Sequence, residues 1–196
     1  MKVYGDLNSG NCYKIHLLAN LLEIEHDWIA IDILAGETRS DDFLAKNPNG
    51  RIPLLELAGG RFLTESNAIL NYLAEGSTYL PVDTYLRAQV LSWQFFEQYS
   101  HEPYIAVARF INKYLGLPAE RQQEYREKQA GGHRALAVME QQLLQNDYLV
   151  GHAATIADIS LYAYTHVAHE GGFDLSAYPS VVAWCRRLEA LPGYAA

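Results

Sequence analysis

Two groups of residues have the types and spacing of a binding site. The first is Arg51-Ile52-Pro53, followed twelve positions after Pro53 by Glu65-Ser66. A proline at the mouth of a strand removes a ladder donor, so the amide and carbonyl of Ile52 must pair with something other than the neighbouring strand, a ligand backbone being one candidate. Glu65-Ser66 sets a carboxylate and a hydroxyl beside the exposed amides of a helix start, which can hold both the ammonium and the carboxylate of an amino acid. Taken singly, these features also read as an edge-strand proline and an ordinary N-cap. The second group, Ser9-Gly10-Asn11-Cys12, brings a hydroxyl, an amide and a thiol to another helix start, where the macrodipole favours negative charge. Capping of that helix by Ser9 or Asn11 is the plainer reading.

The elements that must carry these groups follow from pattern. Val3-Tyr4 is a short strand, and the turn-rich run Asp6 to Asn11 leads into a helix with Ile15, Leu18, Ala19 and Leu22 on one face. Trp28 to Ile33 alternates as a strand, and Asp41 to Lys46 suits a short helix. Asn47-Pro48-Asn49-Gly50 is a turn, Leu54 to Leu57 and Arg61 to Leu63 make a hairpin closed by Gly59-Gly60 as a two-residue turn, and a helix opens at Ser66, whose hydroxyl is expected to cap it. This βαβ unit followed by a hairpin and a helix is the thioredoxin-like layout, an α/β domain over residues 1–75. Periodicity lapses over 76–83, which reads as a linker. From 84 to 196 only helical patterns recur, giving an all-α C-terminal domain: Thr84 to Tyr114 as one long helix or a broken pair, Pro118 to Leu144 with Gly131-Gly132 inside it, a helix capped by Thr155 with Asp158, and a last helix from Tyr178-Pro179 to Leu191-Pro192-Gly193.

Composition narrows the function. The chain has 196 residues, 49% of them hydrophobic, with a formal charge of −8 and a pI near 5.3. That balance argues against a nucleic-acid partner, which needs a basic face, so a small anionic ligand would be met by local donors. Two cysteines without a C-x-x-C suggest a reducing compartment. The N-terminus lacks the layout of a signal peptide and no apolar run approaches the ~20 residues of a membrane span, so a cytoplasmic location and no membrane partner are expected. His166, His169 and Glu170 lie close together but lack the further ligand of a metal site. Phosphate-binding glycine loops, nucleophile elbows and paired-carboxylate motifs are absent.

Read together, R-I-P and E-S-N-A-I-L resemble the glutathione-binding half of the glutathione transferase family. The start Y-G-x-x-x-S-G-N-C-Y-K-I resembles its serine-type and related bacterial members. Y-L-V-G-x-x-x-T-I-A-D-I-S-L and P-S-V-V-A-W-C-R-R-L-E-A-L-P-G-Y look like the family's helical domain, so the resemblance covers nearly the whole chain. It implies a cis peptide at Pro53, backbone pairing of Ile52 with the cysteinyl part of glutathione, and capture of the γ-glutamyl end by Glu65 and Ser66. Ser9 then matches the hydroxyl that activates the thiol, and Asn11 an asparagine beside the sulfur. Arg51 suits a carboxylate of the peptide, or is an exposed turn arginine.

The expected activity is transfer of glutathione to a small hydrophobic electrophile, with glutathione as co-substrate and no separate cofactor. A thiol of pKa ~8.5 is only a few per cent ionised at neutral pH, and lowering it by about two units takes ~2.7 kcal/mol. A hydroxyl hydrogen bond to a charged sulfur supplies roughly 1.5 to 3 kcal/mol and a helix start about 0.3 to 1. Ser9 at a helix start is therefore sufficient in magnitude. Cys12 is three residues further on and reads as a passive helix residue. In the family the long helix after the linker contributes to the electrophile pocket and to a homodimer contact, which makes Tyr99, Tyr104 and Arg109 the expected second-substrate residues. A glutathione-dependent disulfide reductase or peroxidase, and a non-catalytic ligand-binding module, are the alternatives.

Overall fold

The computed structural model describes residues 1–195. The chain divides into two units: Met1–Ser77 with the segment from Pro192 onward, and Thr78–Leu191. The first contains a four-stranded mixed sheet in the order β2-β1-β3-β4, formed by β1 (Lys2–Gly5), β2 (Asp27–Ala30), β3 (Leu54–Leu57) and β4 (Arg61–Thr64). β1 runs parallel to β2 and antiparallel to β3, and β3 pairs antiparallel with β4. Helix α1 (Gly10–Leu21) makes the crossover between β1 and β2, α2 (Asp41–Lys46) precedes the hairpin, and α3 (Ser66–Ala74) follows it and packs on α1. Val3, Leu54, Leu55, Ile15, Leu18, Ile69 and Leu70 are buried at the centre.

Three local departures from the sequence reading have physical causes. β2 stops at Ala30 and not at Ile33, because the Asp32 carboxylate accepts from the amides of Leu34 and Ala35 and the Asp32 amide donates to Glu37, turning the chain. In the hairpin Leu57 pairs with Arg61, so Ala58 joins the turn and makes it three residues long. Gly59 and Gly60 both take positive φ there, 78° and 71°, conformations glycine adopts without steric cost. The segment after Leu191, read as the end of the helical domain, belongs to the first unit. Gly193 turns at φ 82° close to the Asn20 carbonyl, and the Tyr13 hydroxyl donates to the carbonyl of Ala195 at 2.9 Å.

The second unit is all helical: α4 (Thr84–Phe96), α5 (Glu102–Arg109), α6 (Gln122–Leu143), α7 (Ile156–Thr165) and α8 (Pro179–Glu189). Thr84 to Tyr114 is one helical run in which wide π turns occupy Glu97–His101 and Phe110–Tyr114. Pro103 follows the first of them; lacking an amide donor and crowding the preceding turn, a proline is accommodated by this widening. α7 is buried along its whole length, and its start carries a reciprocal cap between Thr155 and Asp158. Gly131 and Gly132 mark close contacts on α6, since a Cβ at the first would overlap the Tyr104 ring and at the second the Phe173 ring. Gly131→Ala should therefore destabilise the protein by about 1 to 3 kcal/mol in chemical denaturation, and Gly131→Ala with Tyr104→Leu should recover part of that loss.

Candidate active site

The β1–α1 connection brings the first group into place. The Asp6 carboxylate accepts from the Asn8 amide, and its carbonyl from the Ser9 amide at 2.9 Å, which sets Ser9 at the start of α1. The Ser9 carbonyl takes the first helical bond, from Tyr13, while its half-buried hydroxyl makes no capping bond to the helix backbone. Capping is thus not the work of this side chain. The side chain acts on Cys12 instead, pulling the pKa of that thiol down.

Cys12 is fully buried, and its close approach to β1 leaves no room for a Cβ at Gly5. Burial pushes its thiol up to about 12, against hydrogen bonds from the Asp6 backbone and Ser9 that pull it down. It carries essentially no thiolate at neutral pH and is an inert packing residue.

The second group forms around the hairpin. Asn47, itself buried, donates through Nδ2 to the Arg51 carbonyl at 2.7 Å and accepts the Asn49 amide, tying the turn to the segment that enters β3. The Ile52–Pro53 bond is cis. Among the described residues the amide and carbonyl of Ile52 make no hydrogen bond within the chain. The Arg51 side chain is exposed. Leu54 pairs with Thr64, so the next step along the two strands sets Pro53 across from Glu65.

Glu65 has φ 66° and ψ 114°, a conformation L side chains rarely adopt and one that costs on the order of 1 to 3 kcal/mol. Its exposed carboxylate is held at the start of α3 by this turn. Ser66 does not cap α3 as expected: it is the first helical residue, buried, and its hydroxyl donates to Asn11 Oδ1 at 3.1 Å. This bond joins the two groups.

Lys14 was not singled out by sequence. It lies three residues after Asn11 on the same face of α1, is fully buried, and donates to Asn11 Oδ1 at 2.7 Å and to Ser66 Oγ at 3.3 Å. The available signal was a lysine at a helical position flanked by buried Tyr13 and Ile15.

In the second unit a groove of about 300 Å³ is lined by Phe96, Tyr99, Tyr104, Gly131, Arg134 and Val138. Tyr99 is 80% exposed, and the Tyr104 ring has Lys128 Nζ and Arg134 Cζ at 5.8 and 6.0 Å from its centroid. Arg109 does not reach this groove. It is buried, and its Nε donates to Glu170 at 2.5 Å, so it is committed to a structural ion pair that Lys113 shares.

Burial raises the Glu170 carboxyl, but hydrogen bonds and charge from Lys113 and Arg109 outweigh it and hold the group below the ordinary carboxylate range. A depressed folded pKa contributes stability above the unfolded value that is lost as pH falls through the folded one. Glu170→Gln should therefore be less stable than the parent at pH 7, with the gap closing as pH falls through and below the ordinary carboxylate range in a denaturation series.

Residues 8–75 match the model of the glutathione S-transferase N-terminal domain, and residues 93–192 that of the glutathione S-transferase C-terminal domain. The chain belongs to the glutathione S-transferase family. A solved glutathione S-transferase from Pseudomonas fluorescens Pf-5 is 62% identical, with a TM-score of 0.98 over 100% of this chain and 97% of that one. The maleylacetoacetate isomerase of Methylobacterium extorquens AM1, solved with bound malonate and glutathione, is 29% identical, with a TM-score of 0.81 over 100% of both chains. The disulfide-bond oxidoreductase YfcG of Escherichia coli K12 is 29% identical over 93% of this chain and 87% of its own. Within the glutathione S-transferase fold, a four-stranded mixed sheet with helices precedes an all-helical part, as in this chain.

Proposed function

We propose that the protein binds glutathione on its first unit, ionises the thiol, and directs the thiolate at a small hydrophobic electrophile. The observation that carries this reading is the Ile52 backbone, which has no partner within the chain among the described residues and lies beside the Glu65-Ser66 turn. An extended peptide offers one amide and one carbonyl to that gap. The Glu65 carboxylate then meets the γ-glutamyl ammonium, the α3 start at Ser66 meets its carboxylate, and exposed Arg51 the carboxylate at the other end of the peptide.

Ser9 and Asn11 meet the sulfur. A hydroxyl donates more strongly to a thiolate than to a neutral thiol such as that of Cys12, so a bound thiolate is the stronger acceptor for Ser9. Ionisation needs no proton acceptor in the protein beyond bulk water at neutral pH; the chain lowers the cost of the anion, the bond formed is from sulfur to the electrophilic carbon, and the bond broken is from that carbon to its leaving group, which departs with the electron pair, as halide does from an aryl halide. Tyr99 and Tyr104 supply an aromatic surface for that second substrate. Glutathione is consumed as co-substrate, and conjugation of this kind clears reactive electrophiles. Two buried free thiols, Cys12 and Cys185, fit a reducing, cytoplasmic setting. No helix among the described residues is long and apolar enough to cross a membrane.

Conjugation of glutathione to an aryl halide, assayed beside disulfide and hydroperoxide substrates, tests the reaction. Turnover of the halide is expected, and turnover of disulfides alone would replace the transferase reading with the reductase one, which the likeness to a disulfide-bond oxidoreductase supports. A homodimer is the proposed assembly, because Tyr85, Leu91 and Phe95 leave an exposed apolar stripe along α4. Sedimentation at the monomer mass would contradict it.

A further inference from the structure

We infer that Lys14 is a positioning residue for this reaction, fixing the Asn11 amide so that its N–H side is the one offered to an anion. The inference rests on the assignment of Asn11 to the sulfur of glutathione. A fully buried ammonium is costly unless polar atoms replace its water, and two of the atoms that do so here are neutral oxygens, Asn11 Oδ1 and Ser66 Oγ. Asn11 Oδ1 accepts from Lys14 Nζ at 2.7 Å and from the Ser66 hydroxyl at 3.1 Å, which fills the two lone pairs of an amide oxygen.

Turning the amide over would set its NH₂ against the lysine ammonium, donor against cation. Lys14 therefore allows one orientation only. In it the Asn11 oxygen is spent inside the protein and the nitrogen, which only donates, is the group that can serve a ligand. A donor stabilises a thiolate over a thiol, whereas the flipped amide would present an acceptor and do the reverse. Because Ser66 belongs to α3, the same bonds couple the sulfur-facing loop to the turn that holds the γ-glutamyl end.

The test is a double-mutant cycle of Lys14→Met and Asn11→Ala, read as the pKa of enzyme-bound glutathione from thiolate absorbance, with thermal melts to verify folding. Each single variant is expected to raise the bound-thiol pKa by about one unit, and the double variant no further than the larger single shift. Additive shifts would mean that Lys14 acts through its own charge and would overturn the proposal, as would an unshifted Lys14→Met. Should that variant fail to fold, Asn11→Asp leaves the lysine in place: one carboxylate oxygen keeps the Lys14 bond and the other presents an acceptor to the sulfur. Its bound-thiol pKa is expected above that of Asn11→Ala, and a wild-type value would overturn the proposal. Failure of the unmodified protein to bind glutathione, or binding with an unshifted thiol, is seen before any variant is made; it rejects the site assignment itself and the proposal with it.

Discussion

Replacing Ser9 with alanine is expected to lower kcat/KM for conjugation by about 10- to 100-fold while weakening the affinity for glutathione by no more than about fivefold. The separation follows from where the side chain sits. The helix start depends on the Ser9 carbonyl, which alanine retains, and the hydroxyl makes no capping bond. Its removal withdraws one donor from a charged sulfur, roughly 1.5 to 3 kcal/mol, and little from the fold. The residues proposed to hold the peptide, Ile52, Glu65 and Ser66, are on other elements and are untouched by the substitution. Cysteine at this position would exchange the donor for a nucleophile, so alanine is the cleaner variant. Steady-state kinetics with glutathione as the varied substrate checks the split: unchanged turnover would remove Ser9 from the chemistry.

The largest effect on stability is expected at Asp158. Its carboxylate is fully buried and accepts four hydrogen bonds: from the Leu149 amide at 2.8 Å, the Thr155 amide at 2.8 Å, the Thr155 hydroxyl at 3.0 Å and the Trp184 indole at 2.9 Å. It therefore does more than cap α7, because it ties the loop before that helix, the helix start and the buried Trp184 of α8 to one group. Asp158→Ala strands three N–H donors in a dry interior at about 1 to 3 kcal/mol each, partly offset by relaxation and entering water. A net loss of about 4 kcal/mol, or about 10 °C in the melting temperature, is expected. Thr155→Ala should cost only ~1 kcal/mol, since the Asp158 contacts to Leu149 and Trp184 survive it. Denaturation of the two variants side by side checks the order, and equal losses would show that the cap alone carries the effect.

What the sequence disclosed and what it withheld divide along range. The hairpin strands and the Thr155 helix start are legible in the sequence because their chemistry is local and the residues involved lie within a few positions of one another. The early end of β2 was missed because one side chain, Asp32, outweighed an alternating pattern that continued beyond it. Ser66 was assigned a local cap when its hydroxyl instead meets Asn11, 55 positions away, and Arg109 was assigned to a ligand when Glu170 takes it from 61 positions away. A residue's polar partner is fixed by the packing of helices on each other, which periodicity alone does not encode. Lys14 escaped for the same reason: its neighbours on α1 advertised a buried face, but only the docking of α3 supplies the oxygens that let a lysine occupy it.

The most direct measurement of the central claim is the pH titration of thiolate absorbance for glutathione bound to the unmodified protein. The donors at Ser9 and Asn11, aided by the start of α1, predict an apparent pKa about two units below that of the free thiol, so that bound glutathione is largely ionised at neutral pH. A bound thiol that titrates with free glutathione, near ~8.5, would contradict the account.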